Sequence, residues 1–326
     1  MRQIITIALT ALLSVAANAA PPTVDRLLAS VPENSSAVIV VDLAALRAVP
    51  LAQEWLRDSH APWTGIDNDA TAFLRDAGLD PTRDVDLLVL AVTRGHDAGG
   101  NALVLAAGRY DPASLDAALV QRGATRVTVA GGPALRLPRH GGPERADIVV
   151  HTGDDLLVAG PESAVTAALG SHAPPSTLVA QALAAGQVDV KAPFWMVVEL
   201  PPQAHEAMNH MELSSTEPEA NALSNVVRAT AAVQRVAVSG WLGDALTVRS
   251  VAVATTEENA GLLRDAIKGA LAAARLEFQQ RDARLVEPLR DTAVTVSGAT
   301  VEVRASIPVE LLRDLTSGHD KPASQR

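Results

Sequence analysis

The chain has 326 residues, a net charge of −10, 48% hydrophobic residues, 2% aromatic residues and no cysteine. That much apolar content builds a real core and excludes global disorder. The acidic balance without a basic patch excludes nucleic-acid binding, and the scarcity of aromatics disfavours a base- or sugar-stacking module. The missing cysteines exclude thiol, disulfide and zinc-thiolate chemistry.

Met1-Arg2-Gln3 is followed by an apolar run from Ile4 to Ala17, and then by the small-x-small order Ala17-Asn18-Ala19. This charge, apolar and cleavage order predicts a secretory signal over residues 1–19, with a mature chain beginning at Ala20. The run is shorter than the span of about 20 apolar residues that a membrane anchor needs, and no other stretch is long and apolar enough. A soluble, unlipidated protein of the bacterial periplasm, or a secreted one, is expected, with residues 20–34 as an extended N-terminal segment.

Ser36 to Leu43 reads as a buried β-branched strand, followed by helical spacing through Leu46, Leu51, Trp55 and Leu56. Ala70 to Ala77 reads as a short helix closed by Gly78. Val85–Val92 and Ala102–Gly108 are expected to pair across the flexible RGHDAGG connection. Asp111-Pro112 opens a helix to Arg122, with Asp at the cap and Pro in the first turn. Short strands follow at Thr125–Val129, Ala134–Leu137, Ala146–His151 and Leu156–Ala159. Helices are predicted from Pro161-Glu162 to Leu169 and from Leu178 to Ala185.

The order restarts with a strand at Phe194–Leu200. A helical, polar stretch runs from Pro201-Pro202 to about Ala232, and Arg235–Leu242 and Ala245–Ala254 form a hairpin. Thr256 opens a long helix to Arg281, with Glu257 and Glu258 in its first turn where the helix dipole favours acids. It is expected to bury Leu262, Leu263, Ala266, Ile267, Ala270, Leu271, Ala274 and Phe278. Ala293–Val296 and Thr300–Ala305 pair across Ser297-Gly298, and Pro308–Leu315 is a last helix.

The expected fold is α+β, with largely antiparallel sheets, helices on one face and two related halves. The first half spans residues 35–172 and the second 192–316. A linker with a short helix is expected between them at 173–191, and residues 317–326 are expected to form a polar, disordered tail. The internal repeat matches VTVAGGPALRL of the first half with VTVSGATVEVR of the second.

Reactive constellations are few. His205-Glu206-Ala207-Met208-Asn209-His210 departs from the zinc-protease pattern, because its second histidine lies five residues on rather than four, about 140° around a helix. His205, Met208, His210 and Met211 together form a soft thioether and imidazole set suited to cuprous copper. Asp67-Asn68-Asp69 starts like a calcium loop but lacks its glycine and its closing glutamate, with Ala72 and Gly78 at those positions. The sequence contains neither a nucleophile elbow nor a phosphate loop. No cofactor is expected.

SSAVIVVDLAALRAVPL, GLDPTRDVDLLVLAV, ALVLAAGRYDPASLDAAL and DDLLVAGPESAVTAAL share features with a known group. Over about residues 35 to 170 the chain resembles uncharacterised exported bacterial proteins with a D-L-x-x-L-R opening, a G-L-D-P-x-x-D-V-D turn and a G-R-Y-D helix start. The resemblance implies a shared α+β scaffold outside the cytoplasm and brings no activity, cofactor or site residues. The leading expectation is a non-catalytic protein that binds or scaffolds an envelope protein, with Pro201–Ala232 as the interaction segment. The alternatives are an unrecognised periplasmic hydrolase and a copper-handling protein.

Overall fold

The computed structural model describes residues 23–57, 79–93, 101–137, 148–153, 156–170, 176–200 and 231–317. Helix α1 (Val24–Leu28) precedes strand β1 (Ser35–Asp42), which is followed by α2 (Leu43–Arg47), α3 (Pro50–Arg57) and α4 (Pro81–Asp84). Next come β2 (Val85–Thr93), β3 (Asn101–Gly108) and α5 (Pro112–Gln121). Four short strands follow, β4 (Thr125–Val129), β5 (Gly132–Arg136), β6 (Ile148–Thr152) and β7 (Leu157–Pro161), and then α6 (Glu162–Gly170) and α7 (Thr177–Ala184). The rest of the chain supplies β8 (Phe194–Glu199), β9 (Val233–Leu242), β10 (Ala245–Ala254), α8 (Glu257–Arg281), α9 (Val286–Asp291), β11 (Ala293–Ser297), β12 (Thr300–Pro308) and α10 (Val309–Ser317).

The twelve strands among the described residues join one sheet, in the order β11-β12-β10-β9-β8-β1-β2-β3-β7-β6-β5-β4. Every pairing is antiparallel. The fold is therefore α+β, as the short connections require. The sheet runs without a break across the two halves through β1 and β8, where Val40 lies opposite Trp195 and Ile39 opposite Met196. A strand flanked on both sides and covered on both faces reads as a continuous apolar run, as SSAVIVVD does.

Helices cover both faces, which corrects the one-faced layer expected. Leu27 and Leu28 of α1, Val165 and Ala168 of α6, and Leu178 and Val179 of α7 pack with Val38, Val40, Val89, Leu105 and Trp195. The residues of opposite parity, Val41, Leu88, Ala106 and Leu157, pack with Leu46 of α2, Leu51 of α3, and Leu115 and Leu119 of α5. Period-2 alternation puts those two sets on opposite sides of the pleat. One-sided alternation was hard to see because both faces of the central strands are apolar.

Residues 24–28 are helical rather than extended, a second correction. Val24, Leu27, Leu28 and Val31 are spaced as i, i+3, i+4 and i+7, the stripe of an amphipathic helix, and the leucines and Val31 are buried. The two hairpins matched in sequence, β4–β5 and β11–β12, both stand at outer edges of the sheet. In the first half β6–β7 lies between that hairpin and β3, whereas β12 adjoins β10 directly.

The segment after α7 is pinned across the sheet. Arg249 on β10 donates from Nη1 to the Gly186 carbonyl at 2.9 Å and from Nε and Nη2 to Glu302 on β12 at 3.0 and 2.8 Å. Buried Ser239 on β9 accepts from the Asp189 amide at 2.9 Å. Removing the guanidinium takes the donor from the Gly186 carbonyl and two bonds from the half-buried Glu302 carboxylate, which keeps Arg304. Arg249→Ala is expected to cost about 1–3 kcal/mol, read as a lower urea midpoint at unchanged slope.

Candidate functional site

His205, Met208, His210 and Met211 lie outside the described residues, as do Asp67 to Asp69 and the cleavage residues Ala17, Ala19 and Ala20. Among the described residues no group of three or more His, Asp or Glu side chains is arranged to hold a metal ion. None of the described helices is long and apolar enough to cross a membrane.

The three motifs of the first half converge on one polar node, which the sequence reading took as separate caps and turns. Asp42 ends β1 and caps α2, accepting from the Ala45 amide at 2.7 Å. One turn later Arg47 reaches across to donate to the Val85 carbonyl at 2.6 Å and the Thr82 carbonyl at 3.2 Å, and it bonds the Asp86 carboxylate. Asp80 caps α4 by accepting from the Thr82 amide at 3.0 Å, and Asp84 turns back to accept from the Asp80 amide at 2.9 Å. From β3, the Arg109 amide donates to the Asp84 carbonyl at 2.7 Å, and its guanidinium stands 3.6 Å from Asp86. Tyr110 donates to the Gly153 carbonyl at 2.9 Å. Asp111 caps α5 through the Ser114 amide at 3.0 Å. The node ties β1, β2 and β3 to the helices at one end of the sheet, so its charges serve the frame.

The hydrogen bond from Arg83, and behind it the Asp80 amide, hold the Asp84 carboxyl below its ordinary range despite partial burial. A carboxylate lowered in the folded state stabilises above its unfolded pKa of about 3.9 and loses that contribution as pH falls through the folded value. Asp84→Asn is expected to be less stable than the parent at neutral pH, with the gap closing below about pH 4. Urea midpoints taken across that range test it; a gap that stays constant would show that the charge of Asp84 plays no part.

The candidate binding site is a cleft of about 420 Å³, lined by Glu33, Asn34, Ser35, Thr177, Leu178, Gln181 and Glu199. Its volume falls in the range of small-molecule sites. Three distant stretches build it: the turn entering β1, the first turns of α7, and the end of β8. The Ser35 hydroxyl donates to the Pro32 carbonyl at 2.7 Å, which fixes the turn that presents Glu33 and Asn34. Arg235 on β9, opposite Glu199 in the strand pairing, holds the Gln181 side-chain oxygen at 2.6 Å. Beside the cleft, the fully buried Ser176 hydroxyl at the start of α7 has no hydrogen-bond partner.

The lining offers two carboxylates, two side-chain amides and two hydroxyls around one leucine. It suits a polar ligand or peptide segment that brings hydrogen-bond donors and positive charge. No motif pointed to it, because its parts lie more than 160 residues apart in sequence at the extremes, Glu33 and Glu199. Asp42 and Glu199 each end a strand of the central pair, β1 and β8. In the antiparallel β1–β8 pair they stand at opposite ends, and only Glu199 reaches the cleft.

No protein-family model matches the chain, and no curated protein matches it. Among solved structures, crystal form I of the treponemal protein TP0453 aligns over 93% of this chain and 98% of its own, at 10% identity and a TM-score of 0.42. A likeness at that level assigns neither a family nor a site.

Proposed function

We propose that the protein is an exported, non-catalytic binding or scaffolding protein of the bacterial cell envelope, working in the periplasm or after secretion. The signal pattern of residues 1–19 supports the location. The observation that carries the binding role is the cleft lined by Glu33, Asn34, Thr177, Gln181 and Glu199, built from three stretches distant in sequence. The occupant fitting it best is a basic, hydrogen-bonding segment of an envelope protein. The two sides of the sheet are read as a doubled unit, supported by their common order of strand, hairpin, helix and hairpin.

Photocrosslinking from position 177 in envelope extracts tests the binding role, with position 126 on the far edge strand as the control. A discrete product from 177 that disappears on Glu33→Lys or Glu199→Lys is expected. No product from 177, or equal products from both positions, would count against it. Turnover of ester, peptide or phosphoester substrates by purified protein would favour the hydrolase reading. Bound copper, lost on replacing His205, Met208, His210 and Met211, would favour metal handling. The N-terminal sequence of protein recovered from cells tests export, and a start at Ala20 is expected.

A further inference from the structure

Leu262 of α8, expected in the core with Leu263, is instead 58% exposed, because the helical step of about 100° lets only one of two consecutive leucines face the sheet. An exposed leucine selects no partner. The cleft does, through the way it is built. Strands β1 and β8 are paired from Val41 opposite Phe194 to Ala37 opposite Val198, and the cleft opens directly beyond that last pair. The cause is a β-bulge. Ser35 pairs with Thr93 and Ala37 with the adjacent Val92, so Ser36 is an extra residue on β1. A bulge bends its strand and ends regular pairing. Past it, Ser35 stays with β2, while Glu199 stays with Arg235 on β9 and the Leu200 amide donates to the Gln234 carbonyl at 2.9 Å. Helix α7 covers one face, with Leu178 and Val179 packed among Val38, Val197 and Trp195. Paired strands stand about 4.8 Å apart and admit nothing between them. The result is a slot open at the strand ends and shut at Ala37 and Val198.

We infer that this slot takes the amino-terminal end of a partner chain, with its α-ammonium group held by Glu33 and Glu199. The inference rests on the cleft being the binding site. A shut end stops an extended chain from running through, so a chain that enters lengthwise must finish there. Glu199 follows Val198 immediately, which sets a carboxylate near the shut end. The charge in the lining is all negative, from Glu33 and Glu199. Arg235 behind Gln181 adds a single guanidinium, so the cleft stays net negative. An amino terminus is drawn in, and a terminal carboxylate is repelled. The other walls are Asn34, Ser35, Thr177 and Gln181, with Leu178 as the apolar contact. Those polar groups match the amides and carbonyls of a peptide backbone. A lysine side chain would instead lay its methylene stem against them. A cleft of about 420 Å³ holds a drug-sized ligand, here about two or three residues of the entering chain.

Purified protein carrying a photocrosslinker at position 177 tests the inference. The probe is a random tripeptide library biotinylated through a carboxy-terminal amide, made with free and with acetylated amino termini. The free library is expected to label at least about tenfold more strongly than the acetylated one. Glu33→Gln and Glu199→Gln keep shape and remove charge, and each should bring the free library down towards the acetylated one. Glu33 is exposed, so its variant should keep the parent's urea midpoint even if the Glu199 variant does not. Acetylated tripeptides with lysine fixed at each position in turn should label no better than the acetylated pool. Equal labelling by the two libraries, labelling by the lysine-bearing acetylated peptides equal to that of the free library, or free-library labelling indifferent to both glutamine variants would each overturn the inference. So would the absence of labelling by either library. In those cases a product from position 177 in envelope extract that still depends on Glu33 leaves the binding role standing, and only the amino-terminal occupant falls. If neither library nor extract labels position 177, both fall together.

Discussion

Replacing Gly108 with alanine is expected to prevent folding at physiological temperature. Gly108 closes β3 directly opposite Val85. An added Cβ would lie 2.0 Å from the Asp84 carbonyl oxygen and 2.8 Å from the Val85 Cα. Both obstacles are backbone, so no side chain can swing aside. The same carbonyl accepts the Arg109 amide, and the pairing already shifts register between Val85 and Leu87. Relief requires pulling β2 from β3 where Arg47, Asp84, Asp86 and Arg109 converge. The cost is that of overpacking plus lost backbone hydrogen bonds, above about 3 kcal/mol. Circular dichroism and the urea midpoint of any soluble Gly108→Ala protein measure it. A midpoint close to that of the parent would show that the strand ends shift to admit the methyl group.

Trp195→Ala is expected to cost about 3–5 kcal/mol, the range for deleting a large buried aromatic. Trp195 is fully buried and lies between Val40 on β1 and Ser239 on β9, where the two sides of the sheet join. Its indole nitrogen is buried with no hydrogen-bond partner. Trp195→Phe removes that unpartnered donor along with part of the ring. The loss should therefore be small, about 1 kcal/mol, because relief of the unmet donor offsets the cavity. Urea unfolding of both variants tests the pair. A phenylalanine variant as weak as the alanine one would mean that the nitrogen is satisfied and that volume alone matters.

Local signals carried far in this chain. Thr256 caps α8 by accepting from the Asn259 amide at 3.1 Å, and the helix ends at Arg281, the boundaries expected from cap and charge alone. Asp111 and Pro112 likewise mark the start of α5. Such signals act over three or four residues, so a single sequence displays them. Helix α1 is legible too, in the spacing of Val24, Leu27, Leu28 and Val31. The joining of β1 to β8 was not legible, since pairing between residues near 40 and near 195 leaves no periodic trace. The cleft was hidden for the same reason. Its glutamates, hydroxyls and amides are ordinary surface residues until the fold brings Glu33, Thr177 and Glu199 together.

The place of β1 in the sheet has a consequence for the order of assembly. β1 is completed by residue 42 and finds its first neighbour in β2, at Val85–Thr93. Its second neighbour, β8, does not begin until Phe194. A chain delivered from its N-terminus thus carries an apolar strand with one open flank for more than 150 residues of synthesis or translocation. Closure of so distant a pair is slow, and an open flank of this kind recruits strands from other molecules. Truncations ending before residue 194 should precipitate, and the intact chain should need a holding chaperone until β8 arrives.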